Sequence, residues 1–283
     1  MKKLLMLVGV TGASLSAIFV RWSTAPSLVL VLYRSLFATL LLAPYALLRH
    51  REELRRLRRR EVALSLISGV FLGLHFACYF ESLRWTSIAS AVVLVDTEVF
   101  FVALATVFLL RQRLSKRAWL AIGLTFLGSV LVAMSDAGAS VDALRGDLIA
   151  LAGALCMAVY TMIGTVCRRT VSTTAYTVLV YGTSVITVLV IALAGGTPLT
   201  GYGSVNLATA FGMAVCCTLL GHSVFSWGLK YLPPAFIATV KLLEPAIAAL
   251  WGLLLFAERP GLLVILGSAI IIFGIALYNT SET

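Results

Sequence analysis

Hydrophobic positions along this chain do not alternate with polar ones; they fuse into long runs. Ten apolar stretches recur, at residues 4–22, 27–48, 62–82, 87–110, 118–134, 147–166, 176–195, 206–228, 233–255 and 260–279. A helix rises 1.5 Å per residue, so each run is long enough to cross a hydrocarbon core of about 30 Å. Short segments of alternating pattern, the mark of a β-barrel, are absent. The pattern predicts an all-α, polytopic membrane protein with ten transmembrane helices. The first run imitates a signal peptide, with Lys2 and Lys3 ahead of it and the small residues Ala13, Ser14 and Ala17 near its end. It is read as a retained helix, because a sequence repeat described below supplies a counterpart for it.

Composition agrees. Of 283 residues, 60% are hydrophobic, only 12% are charged and the mean hydropathy is +1.02, against about 25% charged in a soluble domain. A net charge of +10 raises nucleic acid as a partner, but the distribution argues against it. Sixteen of the 22 Lys and Arg fall at the N-terminus, in segments 49–60, 111–117 and 168–169, and at Lys230, all in alternate loops. Arg84, Arg145 and Arg259 lie on the other side, whose longest loop, Ser135 to Asp147, carries three aspartates. The positive-inside bias then predicts a cell-membrane protein with both termini cytoplasmic and the aspartate loop external. The basic run Arg51–Glu61 is read as a topology anchor with affinity for anionic headgroups.

Cys78, Cys156, Cys167, Cys216 and Cys217 fall in or at the ends of predicted helices without metal-ligand spacing, which suits reduced packing residues. No CxxC, HExxH, GxSxG or phosphate-cradling glycine loop occurs. His75 and His222 are the only histidines in the apolar runs, too few for a metal site. No cofactor or metal is expected.

The chain repeats itself. At an offset of 146, residues 83–132 lie over 229–278 without a gap, pairing Arg84 with Lys230, Trp85 with Tyr231, Glu98 with Glu244, Arg113 with Arg259 and Gly128 with Gly274. Five helices per copy is an odd number, so the second copy starts from the opposite side of the membrane. The expected organisation is a first repeat at 1–135, an external linker at 136–146 and a second repeat at 147–283. Inverted repeats of this kind are the recurrent build of secondary transporters, with substrate bound near the midplane between the halves.

The segments GLHFACYFESLRWTS (73–87), LLGHSVFSWGLKYLP (219–233) and LLEPAIAAL (242–250), with AIFVRWS (17–23) and LYR (32–34), resemble the EamA family of the drug/metabolite transporter superfamily. The resemblance spans nearly the whole chain. It implies a central cavity lined mainly by helices 1–4 and 6–9, with helices 5 and 10 peripheral, and transport of small metabolites such as amino acids, often outward. Two departures add charge. Thr97-Glu98-Val99, preceded by Asp96, stands where relatives usually carry a neutral Thr-Gln-Pro segment, and Lys241 replaces an apolar residue ahead of the family-like Glu244-Pro245.

A charge at a helix centre costs about 2.5–3.5 kcal/mol on insertion scales, so these groups face protein, water or each other. Residues two apart differ by about 200° around a helix, so Asp96 and Glu98 point to opposite sides. Glu98, whose repeat mate is also a glutamate, is assigned the cavity side and the role of counter-ion and coupling-proton carrier. Asp96 is expected to turn toward Arg34, His75 or Lys241; an Asp96–Lys241 ion pair holding two helices in register is the structural alternative. Glu244 is divided between gating and substrate contact. Pro245 removes an N–H and is expected to kink helix 9, whereas Val99 at the matching position leaves helix 4 straighter. Tyr79, Tyr160 and Trp227 are candidate pocket aromatics, Arg34 a candidate fork for a carboxylate, and His75 a candidate between packing and proton relay.

These readings converge on a secondary active transporter, an exporter or exchanger of small polar metabolites such as amino acids or organic amines, with protons as the candidate coupling ion. The alternatives are an importer or exchanger of an anionic or nucleotide-like metabolite and, more distantly, an intramembrane enzyme. The enzyme reading lacks a second aspartate-bearing helix and a GxGD-like segment.

Overall fold

The computed structural model describes residues 2–86, 88–134, 143–257 and 259–281; most of the expected external linker, with both of its aspartates, lies outside them. Ten long helices follow in order: α1 (Lys2–Trp22), α2 (Ser27–Arg49), α3 (Arg59–Ser82), α4 (88–108), α5 (Lys116–Met134), α6 (Ala143–Cys167), α7 (Thr173–Ala194), α8 (Gly203–Gly228), α9 (Pro234–Phe256) and α10 (Leu262–Ser281). Among the described residues nine helices are long and apolar enough to cross a membrane, and α5 adds a helix of 19 residues lying along α10. The chain is an all-helical, multi-pass membrane protein. Large apolar side chains such as Leu48, Phe108, Leu144 and Phe273 stand exposed on its flanks, as the absence of water in the surrounding hydrocarbon requires.

Two buried clusters hold the bundle. Met6 and Val10 of α1 pack with Val99 and Val102 of α4, Ile122 of α5 and Phe236 and Ile237 of α9. Leu32 of α2 packs with Leu72 and Phe76 of α3, Tyr160 of α6 and Tyr176 and Tyr181 of α7. Close helix approach relies on small residues, the usual device where lipid removes any hydrophobic gain. A Cβ on Gly128 of α5 would lie 2.7 Å from the Gly267 carbonyl of α10, and one on Gly12 of α1 would lie 2.5 Å from the Cys216 carbonyl of α8.

The two faces of the bundle are recognisable from their ties. Lys3 donates to Asn279 at 2.6 Å and Lys2 lies 4.2 Å from the Tyr231 ring, so both chain ends and the 229–233 turn share one face. On the other face Asn206 Oδ1 accepts from Ser23 Oγ, Thr24 N and Ala25 N, and Tyr33 Oη donates to the Leu199 carbonyl at 2.8 Å.

Four helices are interrupted inside the bundle. α1 breaks at Leu15; α4 divides at Thr97 into Ile88–Asp96 and Glu98–Phe108; α8 contains a π-helix at Ala214–His222; α9 divides into Pro234–Lys241 and Glu244–Phe256. The break in α4 corrects the expectation that Val99 leaves this helix straighter. No proline is needed, because Thr97 Oγ1 donates to the Leu94 carbonyl at 2.5 Å and Thr97 N to the same oxygen at 3.2 Å, tightening one turn.

Candidate functional site

The breaks in α4 and α9 fall at the same place in the repeat register, and each releases a glutamate at the start of a half-helix: Glu98 after Thr97, Glu244 after Leu242 and Leu243. The first turn of a helix presents free N–H groups and the positive end of the peptide dipoles, where a carboxylate is favoured. The sequence thus places two acids and two half-helix N-termini in the middle of the bundle.

A cavity of about 810 Å³ opens above them, lined from α1, α2, α3, α4, α8 and α9 and reaching Arg21, Phe256 and Arg259 at the face where α9 ends and α10 begins. Its polar wall includes Arg34, His75, Tyr79, Asp96, His222 and Glu244, with Arg21 and Arg259 at the mouth. Beneath it a chamber of about 90 Å³ shares His75, Asp96, His222 and Glu244 with the cavity and adds Glu98 and Lys241. The expected lining is corrected at the edges. α7 contributes nothing to either space, α6 contributes Met157 to the lower chamber only, and α5 and α10 each lend a valine, Val132 and Val264, to the upper one.

The charges pair differently from the sequence reading. Lys241 Nζ donates to Glu98 Oε1 at 2.9 Å and Oε2 at 3.1 Å, and Thr161 Oγ1 donates to Oε1 at 3.1 Å. The ammonium expected to meet Asp96 therefore meets Glu98, which lines the lower chamber and not the upper cavity. Asp96 lines both, and accepts a short hydrogen bond from Ser129 of α5. The tightened turn at Thr97 gives the physical reason, since it ends one helix at Asp96 and starts another at Glu98, so their directions do not follow an uninterrupted spiral. Glu244 is half-buried on the cavity wall and has no hydrogen-bond or ion-pair partner among the described residues.

Arg34 is 4% exposed; its Nε donates to Thr218 Oγ1 at 2.7 Å and its guanidinium lies 4.7 Å from the centre of the Phe76 ring. The His75 ring bonds the Gly153 carbonyl through Nδ1 at 3.0 Å and stacks on Tyr79. Pro245 lines the cavity in the first turn of Glu244–Phe256.

Two expected aromatics lie elsewhere. Tyr160 is buried in the helix core with its hydroxyl 2.9 Å from Ser226 Oγ, and Trp227 packs on Tyr231 toward the face of the chain ends. His222, set aside in the sequence for want of a metal set, lines both spaces.

Comparison with known proteins places this geometry in a family. The model of the EamA-like transporter family matches residues 2–134 and 144–280. The chain is 27% identical over 261 residues to the uncharacterized transporter YxxF of Bacillus subtilis, covering 92% of this chain and 83% of that one. It is 27% identical over 268 residues to the pseudopaline exporter CntI of Pseudomonas aeruginosa, covering 92% and 89%. A protein of known crystal structure superposes with a TM-score of 0.84 over 100% of this chain and 99% of its own, at 16% identity, a likeness of fold.

Proposed function

Because the chain belongs to the EamA-like transporter family, we propose that it carries small polar metabolites bearing an amino group across the cell membrane by alternating access, with the Glu244 carboxylate as the counter-ion of that group. The observation that carries the reading is the partnerless Glu244 on the cavity wall beside Asp96. A carboxylate drawn from water and left unpaired is costly. An ammonium brought by cargo removes the cost, and a proton does so when cargo leaves, which accounts for coupling to protons. Glu98, already satisfied by Lys241, holds the floor beneath the cargo.

The basic face carries the chain ends, so by the positive-inside bias it is cytoplasmic. The cavity reaches the opposite face at Phe256 and Arg259, which suits an outward-facing form. Inverted repeats at 1–135 and 147–283, joined by an external linker at 136–146, supply the inward-facing form by exchanging conformations. The named export activity of the Pseudomonas relative favours efflux.

The test is counterflow in proteoliposomes with labelled amino acids and polyamines. Saturable exchange of an amine-bearing probe, reduced at least about tenfold by Glu244→Gln, supports the assignment. Exchange indifferent to Glu244→Gln, or confined to probes without an amino group, refutes it.

A further inference from the structure

We propose that Arg34 and His222 together form a second subsite, for a carboxylate, so that the cargo must carry an acid group as well as its amino group. The inference rests on the transport reading above and narrows the substrate class of the same cavity.

Among the described residues Arg34 is a buried cation without an ion-paired anion. Among the described residues its guanidinium makes one hydrogen bond, to a neutral hydroxyl, and no ion pair, and its flat face is spent on Phe76. Buried guanidinium groups are ordinarily matched by carboxylates or carbonyls, because desolvation without compensation is expensive. His222 poses the same problem beside it. It is 9% exposed, neither ring nitrogen has a hydrogen-bond partner among the described residues, and Nδ1 is fully buried. Its ring meets the same Phe76 edge-on at 5.4 Å, and both residues line the upper cavity. A buried imidazole normally engages at least one nitrogen, as His75 does with Gly153. Two adjacent groups, one a fixed cation and the other able to donate from a ring N–H, are left open to a single acceptor.

The local fold explains why they converge. His222 ends the π-helix Ala214–His222, whose wider turn rotates the following side chains away from ordinary α-helical register. Thr218 in that π-helix is the residue that holds Arg34 Nε, and its carbonyl accepts from Tyr181 Oη at 3.2 Å. Four residues of π-helix therefore join the anchor of Arg34 to His222. π-Helical segments inside α-helices recur at functional sites. To the same cavity α4 and α9 bring Asp96 and Glu244. The cavity wall therefore carries both acids and, in Arg34 and His222, a cation and an N–H donor, the two kinds of group that a molecule with an ammonium and a carboxylate needs. A simple amine would leave Arg34 and His222 unmet.

The test uses the full-length protein purified in detergent and the twenty protein amino acids, each compared with its decarboxylated amine and its primary amide, with dissociation constants taken from thermal-shift titrations. At least one amino acid is expected to bind about tenfold or more tighter than both of its partners. His222→Phe, which keeps the ring contact with Phe76, is expected to abolish that preference, and His222→Gln to restore part of it. Cooperative melting of the unliganded variants near the wild-type temperature shows that they are folded. If amines bind as tightly as their parent acids, or the preference survives His222→Phe, the carboxylate subsite is overturned while the Glu244 assignment stands. If no acid, amine or amide binds, both are overturned.

Discussion

Lys241 on α9 grips both carboxylate oxygens of Glu98 on α4, at 2.9 and 3.1 Å, with the side chains only 11% and 9% exposed. The contact ties the break of one helix to the break of its repeat mate, and it underlies the chamber beneath the cavity. A pair so placed registers the two helices more than it stabilises them, since the desolvation of both ions offsets their attraction.

Deleting one partner therefore hurts more than deleting both. Glu98→Leu or Lys241→Met alone is expected to destabilise the folded protein by about 3–5 kcal/mol, leaving a buried charge unmatched, while the double variant recovers most of the loss. Thermal unfolding in detergent of the four members of the cycle measures this. Additive losses would show that the two residues act independently.

A second prediction concerns Gly12. Its missing Cβ lets α1 approach the π-helix, where an added methyl would meet the Cys216 carbonyl at 2.5 Å and Gly221 N at 3.3 Å. Both neighbours are backbone, so neither yields cheaply, and Gly12→Ala is expected to cost about 1–3 kcal/mol. A Cβ added to Gly123 on α5 would meet no described atom within 4 Å, and Gly123→Ala is expected to gain up to about 1 kcal/mol through helix propensity. The two melting curves, moving in opposite directions, check the contrast.

The helices themselves were legible, because a 20-residue apolar run has few alternatives in hydrocarbon. The family followed from motifs at 73–87 and 219–250. The site was legible in its inventory and not in its pairing. Glu98, Glu244, Asp96, Lys241, Arg34 and His75 were all singled out, yet the partner of Lys241 depends on the turn at Thr97, which a threonine makes without the proline that would have announced it. Tyr160 and Trp227 lie on helices that can reach a cavity, but their placement depends on helix rotation, which an all-round apolar helix does not encode in its sequence pattern. The π-helix left no mark of its own, and with it the orientation of His222 stayed hidden.

Glu53, in the surface helix Arg51–Arg56, ties the α2–α3 connection to the start of α7 by accepting from Ser172 N at 2.7 Å and facing His50 Nδ1 at 3.0 Å. Partial burial pushes its carboxyl up, but the hydrogen bonds from Ser172 and the contact with His50 outweigh that and hold it below the usual carboxylate range. A depressed folded-state value means that the stabilisation is complete above the unfolded value, near pH 4.3, and is lost as pH falls through the folded one. The stability gap between wild type and Glu53→Gln, no more than about 1 kcal/mol at so exposed a site, is expected at pH 7 and should close below about pH 4. Melting temperatures of both proteins between pH 3 and 7 measure it; a gap that does not change with pH would assign the effect to packing.

Pro245 allows the last prediction, because its position changes what its removal does. Within a continuous helix a proline costs about 3 kcal/mol through a lost hydrogen bond and a clash with the carbonyl four residues back. Here it stands in the first turn of Glu244–Phe256, where its missing N–H is not needed. The turn before it is closed by Leu242 N to the Thr239 carbonyl at 3.2 Å and Leu243 N to the Val240 carbonyl at 3.1 Å. The matching turn in α4 forms with valine at the equivalent place, so the break belongs to the half-helix arrangement and not to the ring. Pro245→Ala is accordingly expected to change stability by less than about 1 kcal/mol and to leave amide exchange at Leu242 and Leu243 as it was. A gain near 3 kcal/mol, with new protection at those amides, would mean that the proline alone holds α9 open and that the two breaks, alike in position, differ in cause.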